Sequence, residues 1–162
     1  MKFHIFNTNR EQLLKELKSR NIKLNKYAEI LLSRDEFNRI DEMKLNIIET
    51  SLNELNIKEP TNLKAVYMEA KQKGLGLLPL VVAPFIRLGY KDQNSSLNNV
   101  LSGQKKSPDG AINIATPILS QDDYYPKGFY IRKVENDLWL RGYICDDMHL
   151  FQLEDRFIFA VK

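Results

Sequence analysis

The stretch GFYIRKVENDLWLRGYI, residues 128–144, decides how this chain is read. Apolar and polar residues alternate on both sides of a Glu-Asn-Asp corner, the period-two pattern of two strands joined by a tight turn. With Asn136-Asp137 as a two-residue turn, Glu135 stands opposite Leu138, Lys133 opposite Leu140, Ile131 opposite Gly142 and Phe129 opposite Ile144. That register gathers Phe129, Ile131, Leu138, Leu140 and Ile144 on one face, the expected core side. The other face then carries Val134/Trp139, Arg132/Arg141 and Tyr130/Tyr143 as cross-strand pairs.

Two arginines directly across from each other repel unless an anion or a protein carboxylate lies between them. Tyrosine and tryptophan beside them stack on rings and on guanidinium planes. Tyr130, Arg132, Trp139, Arg141 and Tyr143 are therefore the expected ligand-binding surface, facing a protein partner or a small anion. The competing expectation is that the N-terminal helices cover this face and their glutamates neutralise the arginines. A three-residue turn would exchange the two faces altogether.

Working outward, period-two runs also mark strands over residues 111–116 and 156–161. Upstream, Leu13, Leu14 and Leu17 repeat at helical spacing within residues 9–20, and Tyr27/Leu31 with Ala28/Leu32 form a second amphipathic stripe beyond a junction near Asn21. Leu45, Ile47 and Ile48 suggest a short strand over residues 44–49, followed by a helical turn through Leu52 and Leu55. Leu63, Val66, Tyr67 and Ala70 predict a helix over residues 62–73. Thr61 supplies its capping oxygen, Lys71 and Lys73 suit its negative end, and Gly74 can take the left-handed conformation that closes it.

Pro79 and Pro84 interrupt the following segment, after which residues 85–88 are expected as a strand. Residues 90–110, rich in Asn, Ser, Lys and Gly, form a long polar loop. The expected architecture is α+β: N-terminal amphipathic helices, over about residues 1–84, followed by a mainly antiparallel C-terminal sheet, over about residues 85–162. The whole chain is expected to be one domain.

Its 162 residues are 43% hydrophobic and 28% charged, which excludes disordered and collagen-like classes. The single cysteine, Cys145, cannot form an intramolecular bridge, which excludes a disulfide scaffold. The longest apolar run, residues 75–86, is cut by Gly76, Pro79 and Pro84 and falls short of the ~20 residues a membrane span requires. No apolar leader opens the chain, so a soluble cytoplasmic protein is expected. Basic residues outnumber acidic ones 14 to 11 in residues 1–80 and balance them 10 to 10 in residues 81–162. The small positive excess is spread out, whereas binding to a phosphate backbone requires a concentrated patch.

Reactive side chains are densest in Cys145-Asp146-Asp147-Met148-His149. A metal or a Cys–His pair is conceivable there, yet no metal-ligand spacing is matched and acidic residues are ordinary in turns. His4 stands far in sequence from His149, and Asp122-Asp123-Tyr124-Tyr125-Pro126, which could attract a cation, reads as an exposed turn before the strand. Gly74-x-Gly76 follows a helix and lacks the third glycine of a dinucleotide loop. No P-loop, Gly-x-Ser-x-Gly, His-Glu-x-x-His or Cys-x-x-Cys occurs, and neither cofactor nor metal is expected. Arg87, Tyr90, Asp92 and Gln93 lead into the polar loop and could line a pocket, with Arg87 and Asp92 as ligand-binding candidates. An internal Arg87–Asp92 ion pair that pins the loop is the structural alternative.

The run Gly74-Leu75-Gly76-Leu77-Leu78-Pro79, then Ala83-Pro84-Phe85-Ile86-Arg87-Leu88, Tyr90-Lys91-Asp92-Gln93, Leu138-Trp139-Leu140 and Phe157-Ile158-Phe159, resembles a group of small bacterial cytoplasmic proteins of unknown function. The resemblance spans roughly residues 40–160 and departs at Leu78, where that group often has cysteine. It implies a bacterial cytoplasmic single-domain protein and carries over no functional residues.

The leading functional expectation is a non-enzymatic binding or regulatory module for a protein or small anionic partner. Two alternatives stand beside it: a small enzyme with a polar pocket around Arg87, Asp92 and His149, and a weak nucleic-acid binder presenting Lys105, Lys106, Arg132 and Arg141 on one surface.

Overall fold

A computed structural model describes residues 1–91, 93, 95–96 and 110–162, of which 95–96 by backbone alone. The elements run β1 (Lys2–Ile5), α1 (Arg10–Ser19), β2 (Lys23–Leu24), α2 (Lys26–Leu32), β3 (Met43–Ser51), α3 (Leu63–Gln72), β4 (Leu75–Gly76), α4 (Ala83–Gly89), β5 (Ser95–Ser96), β6 (Ile112–Ile114), β7 (Gly128–Val134), β8 (Asp137–Tyr143) and β9 (Arg156–Val161). The strands form a sheet in the order β1-β3-β9-β6-β7-β8-β2, with β4 also on β9 and β5 also on β7. The fold is α+β, and its sheet is mixed. β6 runs parallel to β9 and β2 parallel to β8, while β1/β3, β3/β9, β6/β7 and β7/β8 are antiparallel.

Helices and sheet do not divide the chain into an N-terminal and a C-terminal half. β1 opens it because Phe3 and Ile5 alternate with Lys2 and His4, a period of two too short to stand out in the sequence. β1, paired on β3, forms one edge of the sheet, and β2 forms the other. Residues 85–88, expected as a strand, belong to helix α4. Pro84 sits in the first turn of that helix, where its missing N–H and fixed φ favour the start of a helix.

The remaining helices begin on asparagines. Asn9 Oδ1 accepts from Gln12 N at 3.0 Å, Asn25 Oδ1 from Ala28 N at 2.9 Å, and Asn62 Oδ1 from Ala65 N at 2.9 Å. Asn62, not the expected Thr61, caps α3, since Thr61 is held by Phe151 in an isolated β-bridge. Gly74 closes α3 at φ +80°, as its position implied.

The sheet is covered on both faces. On one face Ile112, Ile114, Phe129, Ile131 and Leu140 pack with Leu13, Leu17, Leu31 and Ile86 of the helices α1, α2 and α4. On the other, Phe157 and Phe159 pack with Leu63, Val66 and Ala70 of α3 and with Leu52, Leu55 and Phe151. β9 therefore reads Phe-Ile-Phe without polar alternation, as a strand buried on both sides must. Among the described residues no helix is long and apolar enough to cross a membrane.

Candidate functional site

β7 and β8 form the expected hairpin with its corner moved by one residue. Val134 pairs with Asp137, so the turn is Glu135-Asn136, with Glu135 at φ 54°. Each pairing shifts by two positions from the expected one, and a shift of two leaves every side chain on its expected face. Tyr130, Arg132, Trp139, Arg141 and Tyr143 thus share one side of the sheet. Their neighbours change: Arg132 lies across from Trp139, Arg141 across from Tyr130, and Tyr143 across from Gly128. The two arginines are diagonal, which relieves the direct repulsion that the tighter register would impose.

This face is not an open surface. Tyr130 is 7% exposed, Arg132 0% and Arg141 8%, while Trp139 and Tyr143 are half-buried. Of the helices in the N-terminal half, α1 and α2 pack on the opposite side, as does α4, whereas α3 lies on this one and brings Tyr67 against Tyr143. Asn113 of β6 extends the row, pairing with Tyr130, and its Nδ2 donates to the Arg156 carbonyl at 3.1 Å. The Arg141 guanidinium stacks on the Trp139 ring at 4.1 Å from its centroid. Its Nε is buried without a hydrogen-bond partner, and among the described residues no carboxylate pairs with it.

Further along the same side, sequence reasoning passed over a buried group of hydroxyls. Tyr67 of α3, Tyr143 and Thr116 carry buried hydroxyl oxygens that complete no well-aligned hydrogen bond. Tyr67 and Tyr143 interact directly, and Thr116 Oγ1 and Tyr143 Oη both face Gly128, at 3.2 and 3.5 Å from where a Cβ would stand. Burial pushes both tyrosines well above the usual phenol range, so both hydroxyls are neutral. Rings of Tyr130, Tyr143, Phe151, Phe157, Phe159 and Tyr67 follow one another at 5.2 to 6.4 Å between centroids. Tyr67 sits in the apolar stripe of a helix, so nothing in the sequence separates its hydroxyl from an ordinary core ring.

Arg87 is fully buried at the end of α4, and its acceptors among the described residues are neutral. Nη1 donates to Gln93 Oε1 at 2.7 Å and to the carbonyls of Arg132 and Trp139 at 3.3 Å, and Nη2 to the Tyr90 carbonyl at 2.5 Å. Burial pulls its pKa down to about 10. Gln93 Nε2 continues the chain of bonds to the carbonyls of Gly110, at 2.8 Å, and Ile131, at 2.9 Å. Tyr90 Oη donates to Glu49, which also accepts from Arg156. This network fastens α4 to the hairpin and to β3. Asp92, Lys105 and Lys106 lie outside the described residues.

The 145–149 segment is a turn. Met148 N donates to Asp146 Oδ1 at 2.9 Å and His149 N to the Asp146 carbonyl at 3.3 Å, while the His149 ring rests on Phe151 at 4.7 Å. Burial raises the Cys145 thiol to about 11, although Lys127 pulls the other way, so it is a thiol and not a nucleophilic thiolate at neutral pH. Burial likewise keeps His149 neutral by lowering its pKa. Among the described residues no three His, Cys, Asp or Glu side chains are grouped to hold a metal. Asp122 also turns inward on its own backbone, accepting from Tyr124 N at 3.0 Å. His4 pairs with Glu42 at 2.6 Å.

No family model matches this chain, and neither a curated protein nor a solved structure matches it. What the arrangement offers is therefore read from its own chemistry: stacking rings, neutral hydroxyls and a largely buried arginine.

Proposed function

We propose that this protein is a non-enzymatic binding or regulatory module that holds a small anionic partner against the Trp139–Arg141 stack. The observation that carries the reading is Arg141: a residue 8% exposed whose guanidinium is laid on an indole, with a buried, unpartnered Nε and no carboxylate paired with it among the described residues. A buried charge without a counter-charge costs several kcal/mol, and an anion accepting from a guanidinium relieves that cost. Tyr130, directly across the strand pair, Tyr143 and Arg132 surround the same position. A bacterial cytoplasmic setting goes with this reading through the sequence resemblance.

Inorganic phosphate and citrate, titrated against a chloride control of equal ionic strength, test it by thermal unfolding. The wild-type chain is expected to gain stability with one of the two anions and Arg141→Met to gain none. Methionine keeps the stem and removes the charge, so the variant is expected to fold at least as well. Equal responses of both proteins, or no response from either, would overturn the proposal. Retention of an oligonucleotide that falls steeply with salt would favour nucleic acid in its place.

A further inference from the structure

A second recess lies apart from the Trp139–Arg141 stack, between α3 and the paired ends of β4 and β9. It encloses about 700 Å³. Tyr67, Leu75 and Phe159 form its floor, and Met68 and Leu77 stand at its mouth, 63% and 39% exposed. Large apolar side chains are here left in contact with water around a concave surface, the arrangement that gains most from an apolar occupant.

Among the described residues, the charged ones that line the recess are Lys64, Lys71 and Lys162, and no acidic residue lines it. Lys64 leans toward Asp147, at 3.5 Å between Nζ and Oδ1. Lys71 and Lys162 make no ion pair among the described residues. Lys71 occupies the last turn of α3, where the helix carbonyls favour a cation. The Lys162 stem lies over Gly76, where a Cβ would come within 3.0 Å of its Cε. The missing side chain at Gly76 thus lets the lysine cross the backbone to the edge of the recess.

We propose that this recess binds a free single-chain amphipathic carboxylate of the fatty-acid class, its aliphatic tail on Tyr67 and Phe159 and its head group between Lys71 and Lys162. An apolar floor with an all-cationic rim selects an anion with an apolar body. The volume falls within the roughly 300–1,000 Å³ of small-molecule sites. A peptide helix about 10–12 Å across would fill it with one or two turns, too short a contact to anchor a partner chain.

Dodecanoate and dodecyltrimethylammonium, titrated calorimetrically into the full chain, share a tail and differ in the sign of the head. Dodecanoate is expected to bind one to one and clearly more tightly than the cation. The Lys71→Glu/Lys162→Glu variant alters two exposed side chains, and its fold is checked by circular dichroism. It is expected to weaken dodecanoate roughly tenfold and to strengthen the cation. Arg141→Met is expected to leave dodecanoate binding unchanged, which separates this recess from the hairpin face. Equal affinity for both amphiphiles, or no change in the double variant, would overturn the proposal. So would dimerisation of the chain on adding dodecanoate, or binding to phosphatidylglycerol vesicles without binding of free dodecanoate.

Discussion

Gly142 shows how tightly α2 is set on the sheet. A Cβ there would stand 2.7 Å from the Tyr27 carbonyl carbon and 2.9 Å from Ala28 N, both backbone atoms that cannot turn aside. Asn25 occupies the neighbouring space with its amide, donating Nδ2 to the Gly142 carbonyl and accepting from Gly142 N, each at 2.9 Å, as a further strand residue would. The same Oδ1 caps α2. Gly142→Ala is expected to destabilise the fold by about 2–3 kcal/mol through overpacking, measured as a lower urea midpoint. Asn25→Ala removes the cap and both strand-like bonds, and is expected to cost about 2–3 kcal/mol. Asn25→Asp keeps the acceptor and loses the donor, so its midpoint is expected between those of wild type and Asn25→Ala.

At the scale of elements, Arg87 does what a covalent strap would do, joining α4 to both strands of the hairpin. Arg87→Met leaves the carbonyls of Tyr90, Arg132 and Trp139 without this donor in a dry interior, an expected loss of about 2–4 kcal/mol in denaturant unfolding. Arg87→Lys is expected to recover only part, because one ammonium cannot span the fork that reaches Gln93 and Tyr90 together. At α3 the capping assignment is open to the same measurement. Asn62→Ala is expected to cost about 1 kcal/mol, whereas Thr61→Ala, whose residue is held through its backbone to Phe151, is expected to cost less.

For the whole molecule, pH is the sharpest probe. Cys145 titrates at about 11 in the fold against an ordinary value of 9.0, and Tyr90 at about 12 against 10.0. Tyr67 and Tyr143 are raised as well. Burial is the first cause for all four. Each contribution is complete below the unfolded value and is lost as pH rises toward the folded one, since the unfolded chain releases its proton first. Urea midpoints are therefore expected to fall steadily above pH 9, with Cys145→Ala flattening the earliest part of the fall. A midpoint independent of pH between 9.0 and about 11 would contradict the burial of that thiol. On the acid side His149, held neutral, is expected to withdraw stability as pH drops below its ordinary value of 6.5.

The sequence by itself determined what lies close along the chain. The stripe Leu63, Val66, Tyr67, Ala70 with Gly74 marked α3, alternation marked β6 to β9, and the same alternation with a two-residue turn, at either of the two corners, placed Tyr130, Arg132, Trp139, Arg141 and Tyr143 on one side. Those signals survive because a period of 3.6 or 2 is a property of neighbouring residues. Only the tertiary structure decided that Pro84 begins a helix, that Asn62 and not Thr61 caps α3, and that the arginine face is enclosed. It also brought Tyr67 to Tyr143 across the gap between α3 and β8. Enclosure depends on which distant segments come to lie over a face, and alternation within one hairpin says which side chains stand together but not what covers them.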